Sequence, residues 1–325
     1  MKHRRAPRWL VETVAWSSAL VLLGGVGVVA TGVIKTKTVY GDTPVVSLKT
    51  VPVQRQAPVT QRPVANVTTH ANTGVPVEAS LGAPPGPYND PKPTAFAPAE
   101  KRFAFLAGVT DYRAPTHDTI AGAQDVLFIR DLLLASGWPS ENIRIVTDRN
   151  ATGAAVRDGL TWLASKSVPG TFTFFHFSGH VKQSGGHEKL WPYDRDFVED
   201  TWMAGVLNRG SGKLWVDIAG CEAGGFMENL PSARTLVSTS SKATQKSYEF
   251  PQWGESVWSG LVYDLGLAQG QADADKNGVT TVGEALRWGT YYAQAITLHQ
   301  TPHGRQTPQV AGDPVRGWTL ENPPA

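Results

Sequence analysis

Two side chains capable of nucleophilic and acid–base chemistry each stand just after a short apolar run of the sequence. His180 follows the run 171–177 through a Ser-Gly pair, and Cys221 follows the run 213–218 through an Ala-Gly pair. Apolar runs that end at small residues are typical of buried strands that open into tight turns. Because reacting groups gather beyond the carboxyl ends of parallel strands, we expect the two side chains to face one site. The pattern predicts a thiol nucleophile assisted by an imidazole base.

The small residues around Cys221 favour a reactive thiol over an inert one. A free Cys at the end of an apolar strand is more often a core residue. Here Gly220 precedes the Cys and the run Ala223-Gly224-Gly225 follows it, so we expect an uncovered thiol that a substrate backbone can approach.

Two further His residues compete for a functional role. His176 lies four residues before His180, which is the spacing of two zinc ligands on a helix. On a strand, however, residues four apart are separated by about 13 Å and cannot bind one ion. We therefore expect His176 in the core, while His187, in a Gly-rich loop, is a second choice of base.

Composition argues against a nucleic-acid-binding protein and against a fold held together by disulfides within the chain. The net charge is +2 over 325 residues, and the Lys and Arg residues are scattered rather than gathered in a stripe, so no nucleic-acid partner is expected. The single Cys cannot form a disulfide within the chain, so a hydrophobic core must stabilise the fold.

The first hundred residues contain no periodicity typical of a core. Residues 1–12 are basic, and residues 13–34 form an uncharged, mostly apolar stretch of the length needed to span a bilayer. The excess of positive charge before the stretch predicts a single-pass anchor in the cell membrane, with a cytoplasmic N-terminus and an extracytoplasmic remainder. A cleaved signal peptide is the alternative, with Val28-Val29-Ala30 as a weak cleavage site. The Pro-rich residues 35–101 predict an extended stalk.

Residues 102–320 are predicted to form one α/β domain. Strand-like and helix-like segments alternate along this region, which indicates a mainly parallel central sheet with helices on both faces. The predicted strands are 103–109, 142–147, 171–177, 213–218 and 234–238, and the predicted helices include 121–136, 152–165, 199–207, 255–265 and 282–299.

The ordered set of motifs in this region resembles the cysteine-peptidase clan of caspases, metacaspases and legumains, in a bacterial, membrane-anchored form. The resemblance implies a caspase-like three-layer α/β/α sandwich in which Cys221 is the nucleophile and His180 is the general base and acid. Two positions depart from the clan pattern, since Val181 replaces the usual Gly and Ala219 replaces a frequent acid. The motifs are Phe105–Tyr112, Ala121–Asp125, Val146–Asp148 with Ala151-Thr152, Phe177–His180 and Val216–Cys221.

The resemblance also implies further site residues. Backbone N–H groups of Gly179, Val181 and Cys221 are candidates for an oxyanion hole. Asp125 and Glu255 correspond to acids that line the pocket for the residue before the cut, which favours Arg or Lys there. The alternative interpretation is that each is only an acid at the start of a helix. Catalysis by this pair requires no cofactor.

A calcium-type loop is predicted at 273–284. Its spacing matches the pattern of hard oxygen ligands around a sharp Gly turn, closed by a bidentate carboxylate. An Asp-rich turn that caps the following helix is the alternative. The predicted ligands of a structural Ca²⁺ are Asp273, Asp275, Asn277, Val279, Thr281 and Glu284.

The sequence thus predicts an endopeptidase that acts on peptides or proteins, with no prediction of its oligomeric state. A different class of function stays open: a catalytically silent caspase-like module that binds peptides or partners on the outer membrane face.

Overall fold

The structure is a computed structural model that describes residues 97–251, 253–298, 303–312 and 317–321. The predicted basic segment, the membrane anchor at 13–34 and nearly all of the stalk lie outside these residues. Within the described ranges, no helix combines the length and apolar character needed to cross a bilayer.

A six-stranded sheet crosses the domain, and short strands form two small sheets beside it. The strands are β1 (Arg102–Gly108), β2 (Ile143–Thr147), β3 (Phe172–Ser178), β4 (Val181–Ser184), β5 (His187–Leu190), β6 (Val198–Glu199), β7 (Lys213–Ala219), β8 (Thr235–Thr239), β9 (Glu249–Phe250), β10 (Glu255–Ser256) and β11 (Gln309–Ala311). The main sheet has the order β11-β8-β7-β3-β1-β2. Its neighbours pair in parallel except β11, which is antiparallel to β8.

Helices cover both faces of this sheet. They are α1 (Gly122–Ala135), α2 (Gly153–Lys166), α3 (Asp200–Leu207), α4 (Val257–Ser259), which continues as a π-helix over Gly260–Ala268, and α5 (Val282–Ile296). Ala104 and Leu106 of β1 lie in the core shared with α1, the π-helix and α5. Phe105 and Ala107 lie in the core shared with α2 and α3, as the two-residue period of a strand requires. The predicted α/β fold with a mainly parallel sheet is confirmed.

Two segments differ from the sequence prediction. The Gly-rich stretch after His180 is a three-stranded antiparallel sheet, β4-β5-β6, rather than a loop. Gly185 and Gly186 have φ angles of 68° and 80°, and this pair of left-handed residues makes the tight turn between β4 and β5. The helix expected from Glu255 begins two residues later, because Glu255 and Ser256 pair with β9.

A close backbone contact places the start of α1 at the carboxyl edge of the sheet. A Cβ at Gly122 would lie 2.1 Å from the carbonyl oxygen of Val109, and one at Gly108 would lie 2.1 Å from the carbonyl oxygen of Gly122. Only glycine fits at both positions. The first turn of α1, which carries Asp125, is therefore held against the end of β1.

Candidate active site

The turns that follow β3 and β7 touch each other. Ser178 and Ala219 are register partners at the ends of these strands. A Cβ at Gly220 would lie only 2.7 Å from the carbonyl oxygen of Gly179, so a larger residue would force the turns apart. The structure therefore brings the predicted His and Cys motifs together at one edge of the sheet.

The ring of His180 is held by a backbone carbonyl and an aromatic side chain. Its Nε2 lies 2.8 Å from the carbonyl oxygen of His117. Because a carbonyl only accepts hydrogen bonds, Nε2 carries the ring proton and Nδ1 is the atom able to accept another. The backbone N–H of His180 donates to the Tyr112 hydroxyl at 2.7 Å, and the two rings are 4.6 Å apart. These contacts thus hold the imidazole in a fixed orientation and in the tautomer whose Nδ1 can act as a base.

The thiol of Cys221 is covered rather than open, contrary to the sequence expectation. Only 4 % of the residue is exposed. The backbone N–H of Ser247 donates to Sγ at 3.4 Å, and Sγ lies 3.9 Å from the Ser247 carbonyl oxygen. The small residues predicted around the thiol are present, but the chain following β8 fills the space that they leave.

The same segment fixes the backbone around the nucleophile. The hydroxyls of Ser240 and Ser241 each donate to the Gly220 carbonyl oxygen at 2.9 Å. Glu222 adopts a left-handed conformation with φ 61°, and its N–H donates to the Gln245 carbonyl oxygen at 2.7 Å. A non-glycine residue held in this region is a strained position that surrounding contacts must stabilise.

One of the three predicted oxyanion donors is already engaged. The N–H of Gly179 donates to the Ala219 carbonyl oxygen at 3.0 Å. This bond joins the two strand ends and uses the proton that an oxyanion would need, so Gly179 is not a donor in this conformation. Val181 and Cys221 stay as the predicted donors.

A small cavity adjoins Cys221 and contains one acidic residue, Glu249, which the sequence analysis did not select. The volume is about 10 Å³, close to that of a single water site. The carboxylate of Glu249 accepts the N–H groups of Ile120 and Ala121 at 2.8 and 3.0 Å, just before α1. Burial raises the pKa of Glu249 to about 7, and nearby Asp125 adds to the effect. Other lining residues are Thr119, Ser178, Gly179, Ala219, Gly220, Ser247 and Ser256.

The two acids predicted for this pocket lie behind its wall. Asp125 accepts the Ser178 hydroxyl at 2.6 Å and the Ser256 N–H at 3.0 Å, and burial raises its pKa. Neither carboxylate oxygen of Glu255 has a hydrogen-bond partner, and burial raises the pKa of this residue to about 10. Glu255 is therefore neutral near pH 7 and offers no charge to a basic side chain. Neither residue lines the cavity.

A second and larger cavity is lined by His180. Its volume is about 240 Å³, and its lining contains no acidic residue. Trp191 forms part of the wall, with its ring 5.7 Å from the His180 ring. The full lining is Pro115, Thr116, His117, His180, Trp191 and Arg195.

The remaining predicted His residues lie away from both cavities. His176 is fully buried, and its Nδ1 is 2.8 Å from Oδ2 of Asp217. His187 lies at the start of β5, with Nδ1 3.2 Å from Oδ1 of Asp200. A ligand atom of Glu199 joins this pair within 4.8 Å, so the three side chains form a group with metal-ligating chemistry.

The predicted calcium loop gathers its carboxylates. Ligand oxygens of Asp273, Asp275 and Glu284 lie within 4.8 Å of one another. Gly278 turns the loop with φ 85°. Glu284 also accepts the N–H of Thr281 and forms a capping box with that residue at the start of α5. The donor set therefore fits a hard cation, and the same residues also cap the helix.

Sequence reasoning missed the roles of Glu249 and His117 for different reasons. Glu249 lies in a two-residue strand and meets Ile120 across 129 positions of the chain, so local periodicity gives no signal for it. The contribution of His117 is its backbone carbonyl, which every residue type provides. Only the structure identifies such a position.

No protein-family model matches the chain. Metacaspase-1 of Candida albicans is 29 % identical over 103 residues, which cover 30 % of this chain and 23 % of that protein. Metacaspase-1 of Schizosaccharomyces pombe is 28 % identical over 114 residues, which cover 30 % of this chain and 27 % of that protein. The chain thus matches about a quarter of the length of these relatives. A crystal structure of protein GSU0716 from Geobacter sulfurreducens covers 69 % of this chain and 98 % of its own, with 14 % identity and a TM-score of 0.49. The local similarity to metacaspases supports a relationship to the caspase-like clan of cysteine peptidases.

Proposed function

We propose that residues 102–320 form a caspase-like cysteine endopeptidase of the three-layer α/β/α type, with Cys221 as nucleophile and His180 as base and acid. The contact between the Gly179 and Gly220 turns carries the proposal, because the predicted His and Cys motifs meet there, at one edge of the sheet. The His117 carbonyl supports it further by fixing the tautomer in which Nδ1 of His180 accepts a proton.

The reaction follows from these two groups. His180 takes the thiol proton, and the Cys221 thiolate attacks the carbonyl carbon of a peptide bond. The tetrahedral oxyanion is stabilised by backbone N–H groups, for which Val181 and Cys221 are the candidates. His180 then protonates the leaving nitrogen, which releases an amine and leaves a thioester. Water activated by His180 hydrolyses the thioester and restores the thiol. No cofactor takes part in these steps.

A basic residue before the cut is the proposed specificity. Glu249 supports it as the acid that lines the cavity beside Cys221. A carboxylate at the end of a pocket recognises Arg or Lys through charge-assisted hydrogen bonds. Since the cavity holds about one water, substrate binding requires the wall around Thr119 and Ser247 to move outward. Asp125 then supports the wall through Ser178 and Ser256 instead of contacting the substrate.

Covalent labelling tests the peptidase proposal. Peptidyl electrophiles with Arg, Lys, Asn or Asp before the reactive group are incubated with the full chain, and the labelled residue is located by mass spectrometry. Labelling of Cys221 by the Arg and Lys probes, abolished in His180→Ala, is the expected result. Iodoacetamide, which needs no pocket, measures the general reactivity of the thiol. Equal labelling of wild type and His180→Ala by every probe would contradict the dyad.

A catalytically silent binding module is the second candidate, and the covered thiol favours it. Cys221 is 4 % exposed, and its cavity is nearly closed. Peptides that protect the chain against thermal unfolding, without being cleaved or labelling Cys221, would support this function. Cleavage that depends on Cys221 would exclude it.

The proposed location is the outer face of the cell membrane, through the anchor at 13–34 and the stalk at 35–101. The basic N-terminus, the uncharged apolar stretch and the Pro-rich spacer of the sequence support this arrangement. Protease added to intact cells should cut within 35–101 and release the domain. Full protection of the domain, in cells that lose a known surface protein under the same treatment, would contradict it.

A structural Ca²⁺ at 273–284 is also proposed. The clustered carboxylates of Asp273, Asp275 and Glu284 support it, with Asn277, Val279 and Thr281 as the other predicted ligands. None of these residues lines either cavity, so the ion would stabilise the start of α5 rather than take part in the reaction.

A further inference from the structure

We propose that the cavity beside His180 is the subsite for the residue after the cut, and that Arg195 at its mouth selects an acidic side chain there. The inference rests on the proposed peptidase function and specifies its substrate class: peptides with a basic residue before the cut and Asp or Glu after it.

The position of the cavity identifies the side of the substrate that it receives. The acyl part of a substrate becomes attached to Cys221, and the amine part leaves after His180 protonates its nitrogen. The small cavity is lined by Cys221 but not by His180, whereas the large cavity is lined by His180 but not by Cys221. The residue that carries the scissile nitrogen, which is the first residue after the cut, therefore enters the large cavity.

The size of this cavity suits one side chain. About 240 Å³ accommodates a residue of Asp or Glu size together with ordered water. Trp191 provides an apolar wall against which the methylene groups of the substrate residue pack. The opening stays accessible without any movement of the protein, unlike the cavity beside Cys221.

Arg195 supplies the permanent charge in the lining. Its backbone has φ 65°, a conformation that is uncommon for a residue with a side chain. Its N–H donates to the Pro192 carbonyl oxygen at 3.0 Å, so a tight turn places it at the cavity. The guanidinium uses Nη2 to donate to the Ala114 carbonyl oxygen at 3.1 Å, which orients the group across the opening. The remaining N–H groups of the fork suit a carboxylate.

The acids next to Arg195 in the sequence are committed elsewhere. Asp196 forms an ion pair with Arg157 at 2.6 Å. Asp194 accepts the N–H of Gly153 at 2.9 Å, at the start of α2. Among the described residues, no carboxylate forms an ion pair with Arg195. Lys182, whose Nζ lies 5.7 Å from the centre of the Trp191 ring, adds a second positive charge near this wall. A carboxylate of the substrate would therefore meet an uncompensated positive site.

Matched peptide substrates test this assignment. Internally quenched peptides with Arg before the cut differ only in the next residue, which is Asp, Asn or Lys, and the full chain is assayed at low salt. We expect kcat/KM for Asp to exceed that for Lys by about two- to fivefold, the upper part of the range for an exposed ion pair. Arg195→Gln should reduce this ratio to near one, Arg195→Glu should invert it, and Arg195→Lys should retain most of it.

Arg209→Gln is the matched control, because Arg209 is also exposed and lines neither cavity. It should leave the Asp-to-Lys ratio unchanged. If the peptides are cleaved with equal efficiency and Arg195→Gln changes nothing, the subsite assignment is wrong and the peptidase proposal stands. If no peptide is cleaved and no electrophile labels Cys221, the peptidase proposal itself fails.

Discussion

The two cavities at the strand ends differ in size, charge and cover. The cavity beside Cys221 is nearly closed, is lined by Glu249 and lies under the chain around Ser247. The cavity beside His180 is more than twenty times larger and has Arg195 at its mouth. In the proposed peptidase, one side of the scissile bond would meet a closed, acidic environment and the other an open, cationic one.

In the proposed peptidase, this difference separates two functions. Movement of the segment over Cys221 would control access to the thiol, and the lining of the open cavity would select the leaving residue. In the proposed reaction, the leaving half of a substrate could enter the open cavity beside His180 without rearrangement, whereas the scissile carbonyl could reach Cys221 only after the Ser247 segment moves. Displacement of that segment would therefore limit acylation. Burial raises the pKa values of Glu249 and Glu255, and Asp125, which hydrogen-bonds to the wall of the closed cavity, raises both further.

The largest effect is expected from removing the two proposed catalytic groups, one of which lines each cavity. Cys221→Ala and His180→Ala should each lower kcat/KM for Arg peptides by roughly a thousandfold or more, with nearly unchanged melting temperature. Activity is measured with the quenched peptides, and folding is measured by calorimetry. Normal turnover by Cys221→Ala would remove the basis for assigning opposite sides of a substrate to the two cavities.

The next effect concerns Glu249 and the charge of the closed cavity. With a pKa of about 7, this carboxyl is neutral at pH 6 and charged at pH 8, so preference for Arg over citrulline should rise across that interval. Glu249→Gln should lower kcat/KM for Arg peptides at pH 8 by about 10- to 100-fold, as expected for a lost charge-assisted hydrogen bond.

Glu255→Gln is the control for this experiment, because Glu255 is neutral near pH 7 and does not line the cavity. It should retain the rise in Arg preference between pH 6 and pH 8. If Glu255→Gln removes the rise and Glu249→Gln does not, the selecting acid has been assigned to the wrong residue.

Glu255 should instead affect how the stability of the folded protein depends on pH. Its pKa is about 10 in the folded protein and near 4.5 when unfolded, so folding favours the protonated form. The stabilising effect is complete below about pH 4.5 and is lost progressively as the pH rises toward 10, by up to about 1.4 kcal/mol per pH unit. Glu255→Gln, which cannot ionise, should melt at a higher temperature than the wild type at pH 8.5. Parallel melting curves of the two proteins from pH 5 to pH 9 would contradict this assignment.

The smallest effect is expected from calcium, which would act on the closed side through α5 and the π-helix. Chelation should lower the melting temperature by a few degrees and change the Asp-to-Lys preference little, because none of the loop residues lines the cavity of Arg195. Glu284→Gln should remove the sensitivity to chelator. Calorimetric titration of the calcium-stripped chain gives the independent measurement, and equal heats for wild type and Asp273→Ala would leave the loop as a capped turn.

The sequence predicts the framework well because local patterns determine it. The apolar runs that end at Ser178 and Ala219 are strands, and their parallel pairing brings the Cys and His turns into contact. The two-residue period of β1 predicts cores on both faces. These features depend on residues that are close together in the chain, so the periodicity of the sequence predicts them.

The sequence could not predict which side chains line the cavities, because the cavity walls combine residues that are far apart in the chain. Glu255 and Ser256 differ by one position, yet only Ser256 lines the cavity, because successive residues of a strand point in opposite directions. The cover over Cys221 depends on where the segment after β8 folds back. The small residues around the thiol are compatible with either an open or a covered site, so they do not predict this cover. The sharp turn at Arg195 likewise leaves no signal in its residue type.

The two cavities share no lining residue, and this separation has a consequence for directed evolution. Libraries confined to the β5–β6 connection, where Trp191 and Arg195 lie, would vary recognition of the departing half without altering the residues around the thiol. Libraries at Thr119, Ser247 and Glu249 would vary the other half. Beneficial changes from the two sets should combine additively, so a protease with a new pair of preferences can be assembled in two independent rounds of selection.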